Sequence, residues 1–335
     1  AYAASWVVSL MGGLTHGSGT NTFEVATRLA ETLGADCWYL AAPIYCPSEA
    51  SRDALLTHSG LSAVLKRARE VSLALVSCGD FSGYSLLAAT PSAAEHVPAL
   101  QAAGAVGSGI VETGVVSSVV GTSGVVFAYS DTPATDPHLR VHTFCHAVPG
   151  KWHTMGVVLS AGGSLRWLRD TFFQPEGVVA RTTGGDPYTL MAEGARQVPT
   201  GSEGLIFLPY LTGERTPYPD ANARGTFFGI TLRHKRQHFA RAVLEGVAYA
   251  LNDTFQIFEE IGVPVTQVRA SGGGAKSPVW RQIHADVTGH PHVTLSVDEG
   301  PALGAALLAA VGTGAYPSVA EACRTAIQTV AQTEP

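Results

Sequence analysis

The stretch that decides the fold is GTFFGITLRHKRQHFARAVLEGVAYAL, residues 225–251. It predicts a short strand and then a helix from about His238 to Ile261, because apolar residues recur in it at intervals of three and four. The apolar face of this helix contains Phe239, Val243, Leu244, Val247, Leu251, Phe255 and Phe258. A stripe of this kind indicates packing against a core and not a cofactor site.

The next segment of the chain combines a strand, a run of glycines and a helix start. Residues 267–271 read as a strand, Gly272-Gly273-Gly274-Ala275 follow it, and a helix is predicted from Pro278 to about Thr288. Ser277 is a favourable N-cap, and proline is favourable at the first helical position. Such a loop lets the backbone approach a planar or anionic ligand closely. It can equally be structural, as can a second glycine-bounded helix that opens at Gly300.

A third segment reads as a β-hairpin with a small polar tip. Residues 115–120 and 125–129 are rich in β-branched residues and flank Gly121-Thr122-Ser123-Gly124. A tip of this composition offers N–H and hydroxyl donors to an anion, although such a sequence is also an ordinary turn.

Two sets of polar residues carry weaker signals. Glu214 and Arg215 lie in LPYLTGERTP, residues 208–217, which favours a solvated loop. His142, His146 and His153 are close in sequence, but Pro149-Gly150 breaks any helix between them. We therefore expect no shared metal site.

The first hundred residues follow a different pattern. Strands are predicted at residues 5–10, 37–41 and 73–76, with helices at residues 22–33 and 59–69, which implies a parallel sheet with right-handed crossovers. A glycine-rich loop precedes the first helix and could bind a phosphate at the helix N-terminus, or form a plain tight turn. Its residues are Gly17, Ser18, Gly19, Thr20 and Asn21.

Composition and charge exclude several function classes. The 335 residues suggest two domains, and 46% hydrophobic residues allow buried cores. The net charge of -6 argues against a duplex-DNA footprint. Five cysteines without a CxxC pair imply neither zinc nor a disulfide framework, and favour reduced thiols in the cytoplasm. The sequence has neither a membrane-length apolar run nor a signal peptide at its start.

The ordered landmarks resemble the FGGY carbohydrate kinases over about residues 102–330. The family's second signature is matched at Gly225, Phe227, Gly229, Ile230, His238, Phe239, Ala242, Val243, Leu244 and Glu245. Residues 142–170 and FLPYLTGERTP, residues 207–217, look most like the xylulokinases of that family. The resemblance implies an α/β fold with a C-terminal actin/Hsp70-like (ribonuclease H-like) ATPase domain.

The resemblance also implies a chemistry and a set of nucleotide-binding residues. The family transfers the γ-phosphate of ATP, with Mg²⁺ bridging the phosphates, to a hydroxyl of a ketose such as D-xylulose. Gly121, Thr122 and Ser123 are implied at the ATP phosphates, and Gly273, Gly274, Ala275, Ser277 and Gln282 around adenosine. The family's catalytic Asp precedes an AAGAVG element, present here at residues 102–107, and its position is Leu100. Leucine cannot accept a proton, so the resemblance supplies no catalytic residue.

Residues 5–103 resemble instead the effector domain of SorC-type regulators, which binds a sugar phosphate. This implies a partial Rossmann-like segment at residues 1–101, without the family's DNA-binding helix-turn-helix, followed by a kinase domain at residues 102–335. Nothing in residues 1–101 resembles the first kinase domain with its phosphate loop. Three hypotheses remain: a sugar kinase impaired in this chain, a sugar-phosphate-sensing module without activity, and a nucleotide-binding protein without turnover.

Overall fold

The computed structural model describes residues 6–9, 30–31, 35–39, 49–69, 103–297 and 300–335. The chain divides into two compact units, Ala1–Ser77 and Cys78–Pro335. None of the helices in the described ranges is long and apolar enough to cross a membrane.

The described part of the first unit contains a parallel strand pair and two helices. Strands β1 (Trp6–Ser9) and β2 (Asp36–Tyr39) pair in parallel, with Trp6 opposite Asp36. Helices α1 (Glu49–Thr57) and α2 (Ser59–Arg69) follow. The parallel pairing and the second helix agree with the sequence analysis, whereas α1 was not predicted. The third predicted strand, at residues 73–76, and most of the predicted helix at 22–33 lie outside the described residues.

The second unit is built on a mixed β-sheet. Within the described residues, seven strands form this sheet in the order β11-β10-β9-β3-β4-β6-β5, and β7 and β8 form a separate pair. The strands are β3 (Gly114–Val120), β4 (Gly124–Ser130), β5 (His142–Cys145), β6 (Trp152–Val158), β7 (Ile206–Leu208), β8 (Thr226–Phe228), β9 (Val265–Ser271), β10 (His292–Leu295) and β11 (Thr329–Thr333). β3, β9 and β10 run parallel, and the other pairings are antiparallel.

Helices cover both faces of this sheet. They are α3 (Gly162–Phe172), α4 (Gln174–Thr183), α5 (Pro187–Arg196), α6 (Arg236–Glu260), α7 (Pro278–Thr288), α8 (Gly300–Gly312) and α9 (Val319–Ala326). Alternate residues of β3 serve the two faces, as the two-residue period of a strand requires. Val116 and Val120 join the core under α6, and Val115 joins Phe127 and Tyr129 on the opposite face.

The helix predicted from the 225–251 stretch is confirmed, with one difference at its start. α6 begins at Arg236, two residues before the prediction, because the His238 imidazole Nδ1 accepts the N–H of Lys235 at 3.1 Å. Its apolar stripe is buried except for the half-buried Phe239, with Val243, Leu251 and Phe258 fully covered.

A short helical segment, residues 103–107, packs against α8 with the two backbones in contact. A Cβ atom on Gly107 would lie 1.6 Å from the carbonyl oxygen of Gly300, and one on Gly304 would lie 1.7 Å from that of Ala103. Real side chains never approach so closely, so the crossing requires glycine at both positions. Residues 103–107 are therefore packed as part of the second unit.

Candidate functional site

The tip of the β3–β4 hairpin, residues 121–123, rests on the start of α3. The carbonyl oxygens of Gly121 and Thr122 accept the N–H groups of Gly162 at 2.8 Å, Ala161 at 3.0 Å and Gly163 at 2.9 Å. A Cβ atom on Gly162 would lie 2.4 Å from the Gly121 oxygen. The tip is thus held against the start of α3 by its carbonyl groups.

The donors of the tip divide between protein and solvent. The N–H of Gly121 and the hydroxyl of Ser123 are engaged, the first with the Ser123 carbonyl at 3.0 Å and the second with the Leu159 carbonyl at 3.2 Å. Among the described residues, no acceptor meets the N–H groups of Thr122 and Ser123 or the Thr122 hydroxyl. Thr122 is exposed. An anion could therefore receive two N–H donors and one hydroxyl here.

The glycine loop, residues 272–275, lies beside this tip. β9 pairs with β3 so that Ser271 is opposite Val119. Gly272 has φ +80° and ψ -178°, and a Cβ atom on it would lie 2.8 Å from the Val120 oxygen. Only glycine adopts this conformation readily and only glycine fits against the neighbouring backbone. The two glycine-rich loops predicted from the sequence therefore lie at the same edge of the sheet.

The predicted helix start after the glycine loop is confirmed. A 3₁₀ turn, Gly273–Lys276, leads into α7, and the Ser277 hydroxyl accepts the N–H of Trp280 at 3.3 Å. Gly273 is exposed and a Cβ atom on it would meet nothing within 4 Å. The loop presents open backbone to solvent at Gly273 while Gly274 and Ala275 are buried.

A small pocket lies behind the glycine loop, between the sheet and α7. Its polar lining comprises Ser118, Ser271, Arg281, His284 and His292. The two histidines are 5% and 2% exposed, and the Nε2 atom of each has no hydrogen-bond partner among the described residues. Burial lowers the pKa of His284 to about 3 and also lowers the pKa of His292. Both rings are therefore neutral at physiological pH.

Arg281, and not its neighbour Gln282, contacts the glycine loop. The Arg281 guanidinium donates to the Ala275 carbonyl. Gln282 lies on the exposed side of α7, where its amide donates to the Asp286 carboxylate at 2.8 Å and the Glu334 carbonyl at 2.7 Å. The structure thus brings Gly121, Thr122, Ser123, Gly273, Gly274, Ala275 and Ser277 to one edge of the sheet.

Glu214 corrects one expectation from the sequence. It is 2% exposed, and not part of a solvated loop, because its Oε1 atom accepts the N–H groups of Leu159 at 2.9 Å and Arg215 at 2.8 Å. Burial raises the pKa of this carboxyl group. Arg215 is exposed, as expected, and its guanidinium lies 2.9 Å from Nε2 of His142.

His146 and His153 meet through the β5–β6 hairpin and not through a helix. Their ring centroids are 5.9 Å apart, and the His153 ring stacks on Phe127 at 4.3 Å. Burial lowers the pKa of His146 to about 4 and that of His153 to about 3, so both are neutral. Within the described ranges, no group of three or more His, Cys, Asp or Glu residues is placed to hold a metal ion.

Two expected sites fall outside the described residues. These are Leu100, at the position of the family's catalytic Asp, and the loop formed by Gly17, Ser18, Gly19, Thr20 and Asn21.

Comparisons with known families match the two halves of the chain to different family models. Residues 116–313 match the "FGGY family of carbohydrate kinases, C-terminal domain". Residues 2–110 match the "Putative sugar-binding domain" family.

Curated relatives align with the C-terminal two thirds of the chain. The xylulose kinase of Escherichia coli (strain K12) is 42% identical over 221 residues, which cover 66% of this chain and 43% of that protein. The xylulose kinase of Bacillus subtilis (strain 168) is 39% identical over 220 residues, covering 66% and 42%. The gluconokinase of the same organism is 40% identical over 214 residues, covering 63% and 41%. The chain thus spans less than half the length of these relatives.

Solved structures of sugar kinases share the fold. The xylulose kinase from Rhodospirillum rubrum superposes with a TM-score of 0.62 at 34% identity, covering 70% of this chain and 45% of that one. The gluconate kinase from Lactobacillus acidophilus has a TM-score of 0.61 at 30% identity, with the same coverage.

Proposed function

Because the chain belongs to the FGGY family of carbohydrate kinases, we propose that its second unit binds ATP at the edge of the sheet where the hairpin tip and the glycine loop lie. The predicted fold is confirmed, because the sugar-kinase structures that the chain resembles have the actin/Hsp70-like fold. In this proposal the tip holds the phosphates and the glycine loop holds adenosine.

The observation that carries the proposal is the contact of the two loops. Gly272 packs on the backbone of Val120 and Gly121, so the two loops lie side by side. Nucleotides bind outside the carboxyl ends of parallel strands in open α/β sheets. β3 and β9 are parallel and end at these loops.

The donors present fit a nucleotide phosphate. The N–H groups of Thr122 and Ser123 and the Thr122 hydroxyl are without acceptors in the described part of the chain, and an anion satisfies such donors. The glycines keep side chains out of the approach to the backbone. Mg²⁺, when bound with the nucleotide, would supply neutralisation of charge during phosphoryl transfer. The proposal requires no metal cage made by the protein.

For the acceptor we propose a ketose such as D-xylulose, with turnover by this chain strongly impaired. The relatives named xylulose kinase support the substrate class. Leu100 stands where the catalytic Asp is expected, and losing a general base reduces rate by about 10²–10⁴-fold. Residues 2–110 match a sugar-binding family, so the part of the chain that precedes the kinase match is of a different kind.

We place the boundary between the two parts at residues 101/102. The packing of Gly107 on α8 supports placing residues 103–107 with the kinase half, whereas the division into compact units falls earlier, between Ser77 and Cys78, and the sugar-binding match extends to residue 110. The alternative function is a sugar-phosphate-responsive SorC-type regulator segment without enzymatic activity, which the match of residues 2–110 favours.

Calorimetry on the full chain tests these functions. ADP with Mg²⁺ and, separately, a pentulose phosphate are titrated, and ADP release is measured with D-xylulose, ATP and Mg²⁺. We expect ADP binding with little or no turnover. Sugar-phosphate binding without ADP binding would support the regulator alternative, and the absence of ADP binding would refute the nucleotide site.

A further inference from the structure

The tip of the hairpin does not stand alone but rests on a platform, which we define as residues 159–163. Four hydrogen bonds join the two. The Ser123 hydroxyl donates to the Leu159 carbonyl, and the N–H groups of Ala161, Gly162 and Gly163 donate to the tip carbonyls. The position of the N–H groups that face the proposed phosphate site therefore depends on the platform.

The platform is held from its other side by the loop at residues 212–216. The Leu159 N–H donates to Glu214 Oε1 at 2.9 Å, and the hydroxyl oxygens of Ser160 and Thr212 are 3.0 Å apart. Just before the platform, Val157 exchanges two hydrogen bonds with Thr216, each of 3.1 Å. These contacts connect residues 212–216 to the tip, with the backbone of residues 157–163 lying between them.

Glu214 is the charged member of this support. Its Oε1 atom accepts two backbone N–H groups, one from the platform and one from its own loop, while its Oε2 atom is buried and has no partner in the described part of the chain. A buried carboxylate is unfavourable unless it is hydrogen-bonded. The two hydrogen bonds to Oε1 therefore hold the carboxyl group in place and join the platform to the loop at residues 212–216.

We propose that Glu214 is a positioning residue for the phosphate-binding tip and acts on it through Leu159 and Ser123 without touching the ligand. This inference rests on the proposed nucleotide site. A glutamine at this position keeps an oxygen that can accept both N–H groups, whereas alanine leaves both without an acceptor and releases the platform.

The test compares Glu214→Ala with Glu214→Gln in the full chain. We expect Glu214→Ala to weaken binding of ADP with Mg²⁺ by about tenfold or more, equivalent to about 1.4 kcal/mol, and Glu214→Gln to stay close to the unaltered chain. Amide hydrogen exchange is measured in parallel without nucleotide. The amides of Ala161, Gly162 and Gly163 should exchange faster in the alanine variant only.

Glu245→Ala is a control for the loss of a buried glutamate elsewhere in the same unit. Glu245 accepts the N–H of Gly201 at 2.9 Å and the guanidinium N–H of Arg241 at 2.6 Å, and no hydrogen bond joins it to the platform in the described part of the chain. We expect its loss to lower stability without altering ADP affinity or the exchange of residues 161–163. If that variant does not fold, the comparison of the two Glu214 variants decides alone.

The outcomes separate the inference from the function on which it rests. If the unaltered chain does not bind ADP, the proposed function is wrong, and the exchange data still test the clamp. If ADP binds but Glu214→Ala matches Glu214→Gln in affinity and in exchange, Glu214 does not position the tip.

Discussion

Replacing Gly272 by alanine tests the contact between the two loops most directly. Gly272 has φ +80° and ψ -178°, a region that is essentially restricted to glycine. Its Cβ atom would lie 2.8 Å from the Val120 carbonyl oxygen and 3.3 Å from the Gly121 nitrogen. Both neighbours are backbone atoms, so the strain cannot be relieved by rotating a side chain. The glycine loop must move away from the tip.

Two contributions set the size of the effect. The backbone conformation costs about 1–3 kcal/mol for a residue other than glycine. Overpacking against fixed atoms costs a further ~1–3 kcal/mol. At about 2–4 °C per kcal/mol for a domain of this size, the midpoint of thermal unfolding should fall by at least about 4 °C. Affinity for ADP should fall by about tenfold or more, because both loops contact the ligand.

Gly289→Ala is the control for backbone strain alone. Gly289 ends α7 with φ +67°, and a Cβ atom there would meet nothing within 4 Å. Its replacement should cost about 1–2 kcal/mol and leave ADP affinity unchanged. Calorimetric titration with ADP and thermal unfolding are measured on all three proteins. If Gly272→Ala binds ADP as the unaltered chain does, the two loops do not share one ligand.

Three further predictions concern other parts of the second unit. Gly107→Ala should lower the free energy of unfolding in urea by more than about 3 kcal/mol, because its Cβ atom would overlap the Gly300 oxygen. A variant as stable as the unaltered chain would contradict the described crossing. His153 is buried with its pKa lowered to about 3, whereas an unfolded histidine protonates at about pH 6.5, so the unfolded state gains protons first as the pH falls. Stability should therefore decrease from pH 6.5 to pH 4 by up to roughly 3 kcal/mol from this group, and acid unfolding of His153→Leu should show a flatter dependence. Gln282→Ala should change ADP affinity by less than about twofold in calorimetry, because the Gln282 amide is hydrogen-bonded to Asp286 and Glu334. A larger loss of affinity would show that Gln282 contacts the nucleotide.

Local signals in the sequence were sufficient for the elements that carry the site. The Ser277-Pro278 pair predicts the start of α7 because capping depends on neighbouring residues only. Two runs rich in β-branched residues that flank Gly121-Thr122-Ser123-Gly124 likewise predict the hairpin from neighbouring residues alone. These features place the two loops, and parallel pairing of β3 with β9 then brings them to one edge.

The features that sequence reasoning missed depend on contacts between distant segments. Glu214 is predicted to be a loop charge because the N–H group that donates to it belongs to Leu159, which is 55 positions away in the sequence. Arg281 and Gln282 differ by one helical step of about 100°, so the choice between them requires the orientation of α7 on the sheet. His146 and His153 approach each other because the chain reverses between β5 and β6, whereas the sequence analysis considers only whether one helix could bring them together.

The backbone crossing of residues 103–107 with α8 has a consequence for how two unrelated sequences can be continuous. Any polypeptide that continues into the kinase half must have a residue without a side chain at position 107, or α8 is displaced, because a Cβ atom there would overlap the Gly300 oxygen. Gly104, by contrast, is not required by the crossing, because a Cβ atom on it would make an ordinary contact with Pro301 at 3.6 Å. The crossing therefore constrains one position of the entering segment and not the whole element.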